Sequence, residues 1–412
     1  MKIRALTAIL LIMSLLFSSC GGGGEGGGLP NEEDTGTSTW TPKPEVMKAK
    51  DGAGGIVVII HDDGTYSTAE ILNDILLRYG LVGDIAILAN KVWDQKTGTV
   101  KAAEAEKWKK FLAAENENGR FKIVSHSMTH TWWGTATDDG NGGYVFSDNR
   151  AKMYDEIVGA QNALRAAFPT ERVLTYAYPG FWSERQSYAV NEGGKVSEDL
   201  VKEIIYSADS RELVDQTYIS ARYSYSQVYP YLNDPDTVWN YVSSRQLGNG
   251  TSAAIADIYS ARFSRLVVFF MHRIDHVPED QLDSYEYPSN TMADYYMEEI
   301  CKELAKDVNK GYLWNAHYED AVLYVREATA ATVTATGDSS RVEITLTDTL
   351  DDEIYDYPIT VRMMIPDEWE KASVTQNGIT EIVTPKVVSG RWVLDVNIIP
   401  DGGVAVVEPI YD

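Results

Sequence analysis

The chain has 412 residues, 44% of them hydrophobic and 24% charged, enough for one large core and a smaller one. Its 61 acidic against 36 basic side chains give a formal net charge of −25, which repels phosphate backbones and argues against a nucleic-acid partner. That charge neither attracts nor repels a neutral sugar.

The first nineteen residues read as a targeting segment. Lys2 and Arg4 precede an apolar run, residues 6–17, that is short for a membrane span. The run ends in Phe17-Ser18-Ser19-Cys20, which resembles a bacterial lipoprotein cleavage site and implies lipidation of Cys20. Residues 20–50, opened by a glycine-rich stretch at 21–28, read as a flexible linker. The expected location is therefore the cell envelope, with a lipid anchor as the one membrane attachment. Cys301 is then the remaining thiol, in a helical pattern, and reads as a packed core residue.

From Gly55 onward, apolar runs at 56–60, 85–89, 121–125, 173–179, 218–222 and 266–272 predict strands. Amphipathic stretches at 68–81, 100–118, 149–168, 197–207, 251–263 and 291–309 predict helices between and after them. A short run at 312–316 and a last helix ending near Arg326 follow. Such alternation predicts parallel strands buried on both faces, as a barrel or an open sheet. After Ala328 short β-rich runs alone remain, so residues 51–328 read as a β/α domain and 329–412 as a small all-β sandwich.

Five of the six histidines fall at a predicted strand end or in the loop after one, where β/α folds place their active sites. His61-Asp62-Asp63-Gly64 puts two adjacent carboxylates at a strand end, an arrangement that needs a cation or a proton to separate their roles. The spacing of His126-Ser127-Met128-Thr129-His130 predicts two imidazoles on one side of a helical turn. Asp63, His126 and His130 would make a two-histidine, one-carboxylate site for a divalent ion, with Zn²⁺ the best fit and Fe²⁺ or Co²⁺ also compatible. His272 closes another strand and can reach the same place. Read alone, Asp-Gly is also an ordinary turn and a strand-end histidine an ordinary hydrogen-bonding residue.

Together these motifs resemble the polysaccharide deacetylases of carbohydrate esterase family four, over about residues 55–327. The matches are Ile59-Ile60-His61-Asp62-Asp63-Gly64, His126-Ser127-Met128-Thr129-His130 and Phe270-Met271-His272. The resemblance implies a distorted parallel (β/α) barrel and hydrolysis of N- or O-acetyl groups on a glycan. It further implies Asp63, His126 and His130 as metal ligands, Asp62 as general base and His272 as general acid. A backbone N–H near Gly180, in Tyr178-Pro179-Gly180, would help to hold the oxyanion. The family's third motif commonly carries an arginine that orients the base; here the stretch reads Ala177-Tyr178-Pro179-Gly180, and Arg222 is either the replacement or a member of a surface ion pair. His61 stands where a phenylalanine is usual, with no evident role. Asp209 is a weaker candidate to hold His272, while Asp275 and His276 read as supporting or loop residues. Trp132, Trp133 and Trp182 follow the second and third motifs and could stack sugar rings. Two other readings use the same residues: a glycan-binding lipoprotein on a degenerate scaffold, and a metal-dependent amidase for a small cyclic amide.

Overall fold

The computed structural model describes residues 40–131, 134–138, 140, 144–179, 208–223, 231–232 and 241–411. The six predicted apolar runs become the parallel strands Ile56–Asp62, Gly83–Ile87, Phe121–Ser125, Thr175–Ala177, Ser220–Tyr223 and Leu266–Met271. The first five pair in chain order. The sixth pairs back onto the first, Leu266 opposite Ile56 through Met271 opposite His61. Residues 241–246 complete the ring: Tyr241–Ser243 pairs with Ser220–Tyr223, and Arg245–Gln246 pairs with Leu266–Met271. One stretch, with Ser244 between its two halves, thus occupies both free edges, and the sheet curls into a distorted parallel barrel.

Alternation along the strands sorts two cores. Ile56, Val58 and Ile60 pack with Val124, Ala177, Val242 and Val268 inside the ring. Val57 and Ile59 pack outward with Leu72, Leu76, Leu164, Ile300 and Leu304 of the surrounding helices. The first and sixth strands are buried at every position, as parallel strands covered on both faces must be. Each fully buried aliphatic side chain contributes roughly 1.5–3 kcal/mol.

The barrel base is plugged by Trp314–Asn315, which pairs with the start of the first strand. Asn315 Oδ1 accepts from Val82 N (2.6 Å) and its Nδ2 donates to Val57 O (3.1 Å). His317 Nδ1 donates to Gly83 O at 2.8 Å, and Asp84 accepts the Tyr318 amide at the head of the helix Tyr318–Ala330 (2.8 Å). This histidine belongs to the end of the barrel opposite the strand C-termini.

Beyond that helix come two antiparallel sheets that bury one shared core of Val342, Ile344, Val361, Leu394, Val396 and Val407. They form the expected all-β sandwich. Tyr324 joins it to the rest: its hydroxyl donates to Met47 O (2.9 Å) and accepts from Thr360 N (3.2 Å).

Three local expectations need correction. Pro44–Val46, read as linker, is an edge strand on Ile359–Met364, with Pro44 at a position where a missing N–H is tolerated. The helix expected at 291–309 begins at Asp294, because Thr291–Ala293 pairs with Arg273–Asp275. The helix expected at 100–118 spans Ala102–Lys109. The leader, Cys20 and the helix expected at 197–207 lie outside the described residues. Cys301 is fully buried, in accord with a packing role. Among the described residues no helix is long and apolar enough to cross a membrane.

Candidate metal centre and catalytic groups

The first strand delivers three polar residues in three directions. His61 points outward, where its Nε2 accepts the Thr65 amide at 2.9 Å. Thr65 precedes the helix Tyr66–Tyr79 without a side-chain cap of its own, so the imidazole closes the strand-to-helix turn. Burial depresses the His61 pKa to about 4 and keeps the ring a neutral acceptor. That is the role the sequence left unexplained.

Asp62 points into the barrel. Both of its carboxylate oxygens lie 2.6 Å from Arg222 Nη2. The guanidinium sits 4.6 Å above the Phe270 ring centroid, inside the ring of strands. Arg222 reaches this position because Ser220–Tyr223 stands across the barrel interior from the first strand.

At Asp63 the chain leaves the strand. Asp63 and Gly64 both adopt left-handed backbone angles, φ 66° and 58°. A Cβ on Gly64 would lie 2.9 Å from Ile87 Cγ1, so glycine is required there on two counts. The turn brings Asp63 Oδ1 to 3.4 Å from His126 Nε2 and 3.6 Å from His130 Nε2.

The two histidines converge by a different device from the one expected. Residues 126–130 are not helical; Ser127 and His130 are left-handed, φ 67° and 64°. Non-glycine residues held this way cost about 1–3 kcal/mol each, so the surroundings must enforce the loop. They do so from two sides. Ala89 N and Asn90 N donate to Ser127 O (3.0 Å) and Met128 O (2.9 Å). From the other side, the buried Glu156 accepts Thr129 N on Oε2 at 2.8 Å and the hydroxyls of Thr129 and Thr131 on Oε1. Its main-chain carbonyl also takes the Met128 amide at 3.1 Å. Glu156 lies in a wide π-helical turn, Asp155–Gly159, within the helical segment, and such turns leave carbonyls outside the regular ladder.

His126 Nδ1 donates to Ala177 O at 2.8 Å, which fixes its tautomer. Its Nε2 is then a buried lone pair with no hydrogen-bond donor among the described residues, turned toward Asp63. One oxygen of Asp63 and one nitrogen from each histidine lie within 4.8 Å of one another. Burial would raise the Asp63 pKa, but His126, His130 and His272 outweigh it and hold the carboxyl well below the usual range. An orphaned imidazole nitrogen beside an ionised carboxylate fits a divalent cation.

His272 follows the sixth strand, and the pairing of Met271 with His61 sets it beside Asp62. Burial lowers its pKa, while the charges of Asp62 and Asp63 pull the other way. Its ring packs edge-on against Phe270, with centroids 5.6 Å apart.

The remaining candidates divide. Tyr178 is buried against Tyr176, and its amide donates to Arg222 O at 3.0 Å, so that N–H is committed to the barrel wall. Pro179 follows it at the edge of the described residues. Gly180, Trp132, Trp133 and Trp182 lie outside them. Asp209 does not serve His272: its carboxylate faces Arg150 at 3.6 Å. Asp275 accepts from Arg273 (2.7 Å) and Tyr285 (2.8 Å), and His276 bonds Asp294, so both brace the outer ribbon. Sequence reasoning missed Glu156 and the Ala89–Asn90 turn. The threonines flanking His130 were the visible hint that a buried acceptor waited for them.

The fold and site define a parallel β/α barrel with an Asp–His–His cluster and a buried Asp–Arg pair at the C-terminal mouth of its strands. No family model matches the chain. A gellan lyase from Bacillus sp is 24% identical over 322 residues, which cover 77% of this chain and 12% of that much longer protein. Many of the solved structures that resemble this chain are family 4 carbohydrate esterases. The Xyl-CE4 domain of a multidomain xylanase from the hindgut metagenome of Trinervitermes trinervoides gives a TM-score of 0.34 at 10% identity, covering 65% of this chain and 89% of that one. A family 4 acetyl xylan esterase from Clostridium thermocellum, solved with a cobalt ion, gives 0.33 at 13% identity, covering 65% and 89%.

Proposed function

We propose that this chain is a metal-dependent hydrolase that removes acetyl groups from a glycan at the cell envelope. The observation that carries the reading is the pairing of two adjacent carboxylates with two different partners. Asp62 is locked to Arg222, while Asp63 faces His126 and His130. A proton acceptor and a cation-binding carboxylate therefore stand one residue apart without competing for the same charge.

A divalent ion held by Asp63, His126 and His130 would supply Lewis-acid polarisation of the acetyl carbonyl and of water, and the residues fit Zn²⁺. Asp62 accepts the proton of the attacking water. Arg222 fixes which way the lone pairs of Asp62 point, from a site that excludes solvent. His272, on the neighbouring strand, donates a proton to the departing amine or hydroxyl. The Glu156 clamp and the Ala177 carbonyl hold the histidines in place, so the loop does not have to order itself when substrate arrives. An arginine partner for Asp62 weighs against a degenerate, binding-only scaffold.

The test is acetate release from a panel of N- and O-acetylated oligosaccharides, with metal content measured on the same sample. One divalent ion per chain together with acetate release supports the reading. A metal-loaded protein that releases no acetate from any member of the panel overturns it.

A further inference from the structure

Beside Gly64, between the turn Ala89–Lys91 and the helix Ala102–Lys109, lies a groove of about 800 Å³. It is lined by Tyr66, Trp108, Lys91, Lys101 and Lys107, with Glu104 the single acid in its wall. Three lysines against one glutamate is the reverse of the whole chain, which carries a net charge of −25. Lys107 is neutralised by Glu104 at 2.8 Å. Lys101 Nζ donates to the neutral Asn90 carbonyl at 2.6 Å, and the Lys91 ammonium pairs with no carboxylate among the described residues.

The groove is mechanically part of the candidate metal centre. Gly64 follows Asp63 directly, and the turn Ala89–Lys91 that carries Lys91 is the one whose amides hold Ser127 and Met128. Lys91 therefore sits on the turn that holds the metal loop, and Lys101, which precedes the helix Ala102–Lys109, is tied to that turn through the Asn90 carbonyl. Tyr66 is half-buried, packs edge-on against the buried Trp108 with ring centroids 5.6 Å apart, and has the Lys110 ammonium 4.8 Å from its own centroid, so it is the aromatic side chain that the groove shares with its lysines. Aromatic surface bordered by cations is a surface for a sugar chain that carries negative charge.

We infer that this groove binds glycan residues bearing carboxylates, so that the substrate is an acidic acetylated polysaccharide. The inference rests on the deacetylase reading and adds the charge class of the substrate. Lys91 and Lys101 pair with uronate groups next to the acetylated sugar, and the groove gives the acidic protein a local exception to its own repulsion of polyanions.

The experiment compares acetylated xylo-oligosaccharides of equal length with and without a uronic acid branch, as kcat/KM for acetate release and as Kd for the unacetylated pair. At low salt the carboxylated member should be preferred about fivefold or more, in line with one or two exposed ion pairs. The preference should shrink as ionic strength rises through 0.15 M and above. Lys91→Gln with Lys101→Gln should bring the ratio toward one, and Lys91→Glu with Lys101→Glu should invert it. Equal Kd values for the two wild-type pairs, or a preference insensitive to both salt and substitution, overturn the inference while acetate release leaves the deacetylase reading standing. Uronate-selective binding without any acetate release overturns the deacetylase reading and retains the anionic groove.

Discussion

Arg222 Nη2 stands 2.6 Å from each carboxylate oxygen of Asp62, and the two residues are 1% and 2% exposed. A pair this deep is held by mutual need, since either charge alone would be buried without compensation.

Breaking the pair should therefore affect stability and activity together. Arg222→Met should lower stability by about 3–5 kcal/mol and activity by about 100-fold or more. Arg222→Lys should recover most of the stability but not the fixed two-oxygen contact. Asp62→Asn should lower activity by about 10²–10⁴-fold while one ion per chain is retained. Thermal unfolding, metal analysis and kcat/KM on one set of proteins separate these effects. Loss of the ion in Asp62→Asn would mean that Asp62 and Asp63 exchange roles.

Metal removal should be reversible and visible without substrate. With the ion at 1,000 times its Kd, the folded state gains about 4 kcal/mol, so chelation should lower Tm and His126→Ala should abolish the difference. A Tm indifferent to chelator, in a protein shown to contain the ion, would place that ion elsewhere.

The Glu156 carboxylate takes one amide and two hydroxyls of the histidine loop. Glu156→Gln keeps the size of the side chain, removes its charge and places a donor where acceptors are needed. Metal affinity should fall about 10- to 100-fold, measured by competition with a chromogenic chelator. Unchanged affinity would show that the Ala89 and Asn90 amides suffice to hold the loop.

Glu327 supplies a pH dependence remote from the metal centre. It is fully buried, accepts from Tyr357 N at 2.7 Å on one oxygen, and burial raises its pKa to about 8. The unfolded chain ionises this carboxyl near its ordinary value of about 4.5, whereas the folded chain keeps it protonated up to about 8. Its contribution is therefore full below about 4.5 and is lost as pH rises toward 8. Tm followed from pH 5 to 9 should decline on this account, and Glu327→Gln should flatten the decline. An identical slope in both proteins would assign it to other groups.

Much of this arrangement was legible because parallel strands announce themselves as apolar runs and end where chemistry sits. Asp62, Asp63, His126, His130 and His272 were found in that way, whereas Arg222 was singled out as a stand-in for the arginine missing from the third motif, with a surface ion pair as the alternative. The strand at residues 241–246 was not legible: Tyr-Val-Ser-Ser-Arg-Gln carries too few apolar side chains to signal burial, because half of it pairs with each edge over a very short length. The loop geometry of His126 and His130 was misread for a related reason. An i, i+4 spacing fits a helix, and nothing local reveals that Ser127 and His130 are driven into left-handed angles by tertiary hydrogen bonds. Glu156 was hidden because the π-helical turn that frees it is set by packing rather than by composition.

The barrel gathers its functional groups from unequal lengths of chain. Asp63, His126 and His130 follow the first and third strands, and Ala177, which fixes one imidazole, ends the fourth. Arg222 arrives with the fifth strand, across 160 positions from Asp62, and His272 follows the sixth, whose pairing with the first closes the ring. Such long-range pairing is the slow part of folding a barrel. On the proposed reading, a chain that has ordered four strands already holds the three candidate ligands, yet lacks the arginine and the histidine assigned to proton transfer. Metal content then counts molecules whose first half is built, and turnover counts molecules whose circle is complete. If metal loads at the four-strand stage, the gap between those two numbers should follow ring closure.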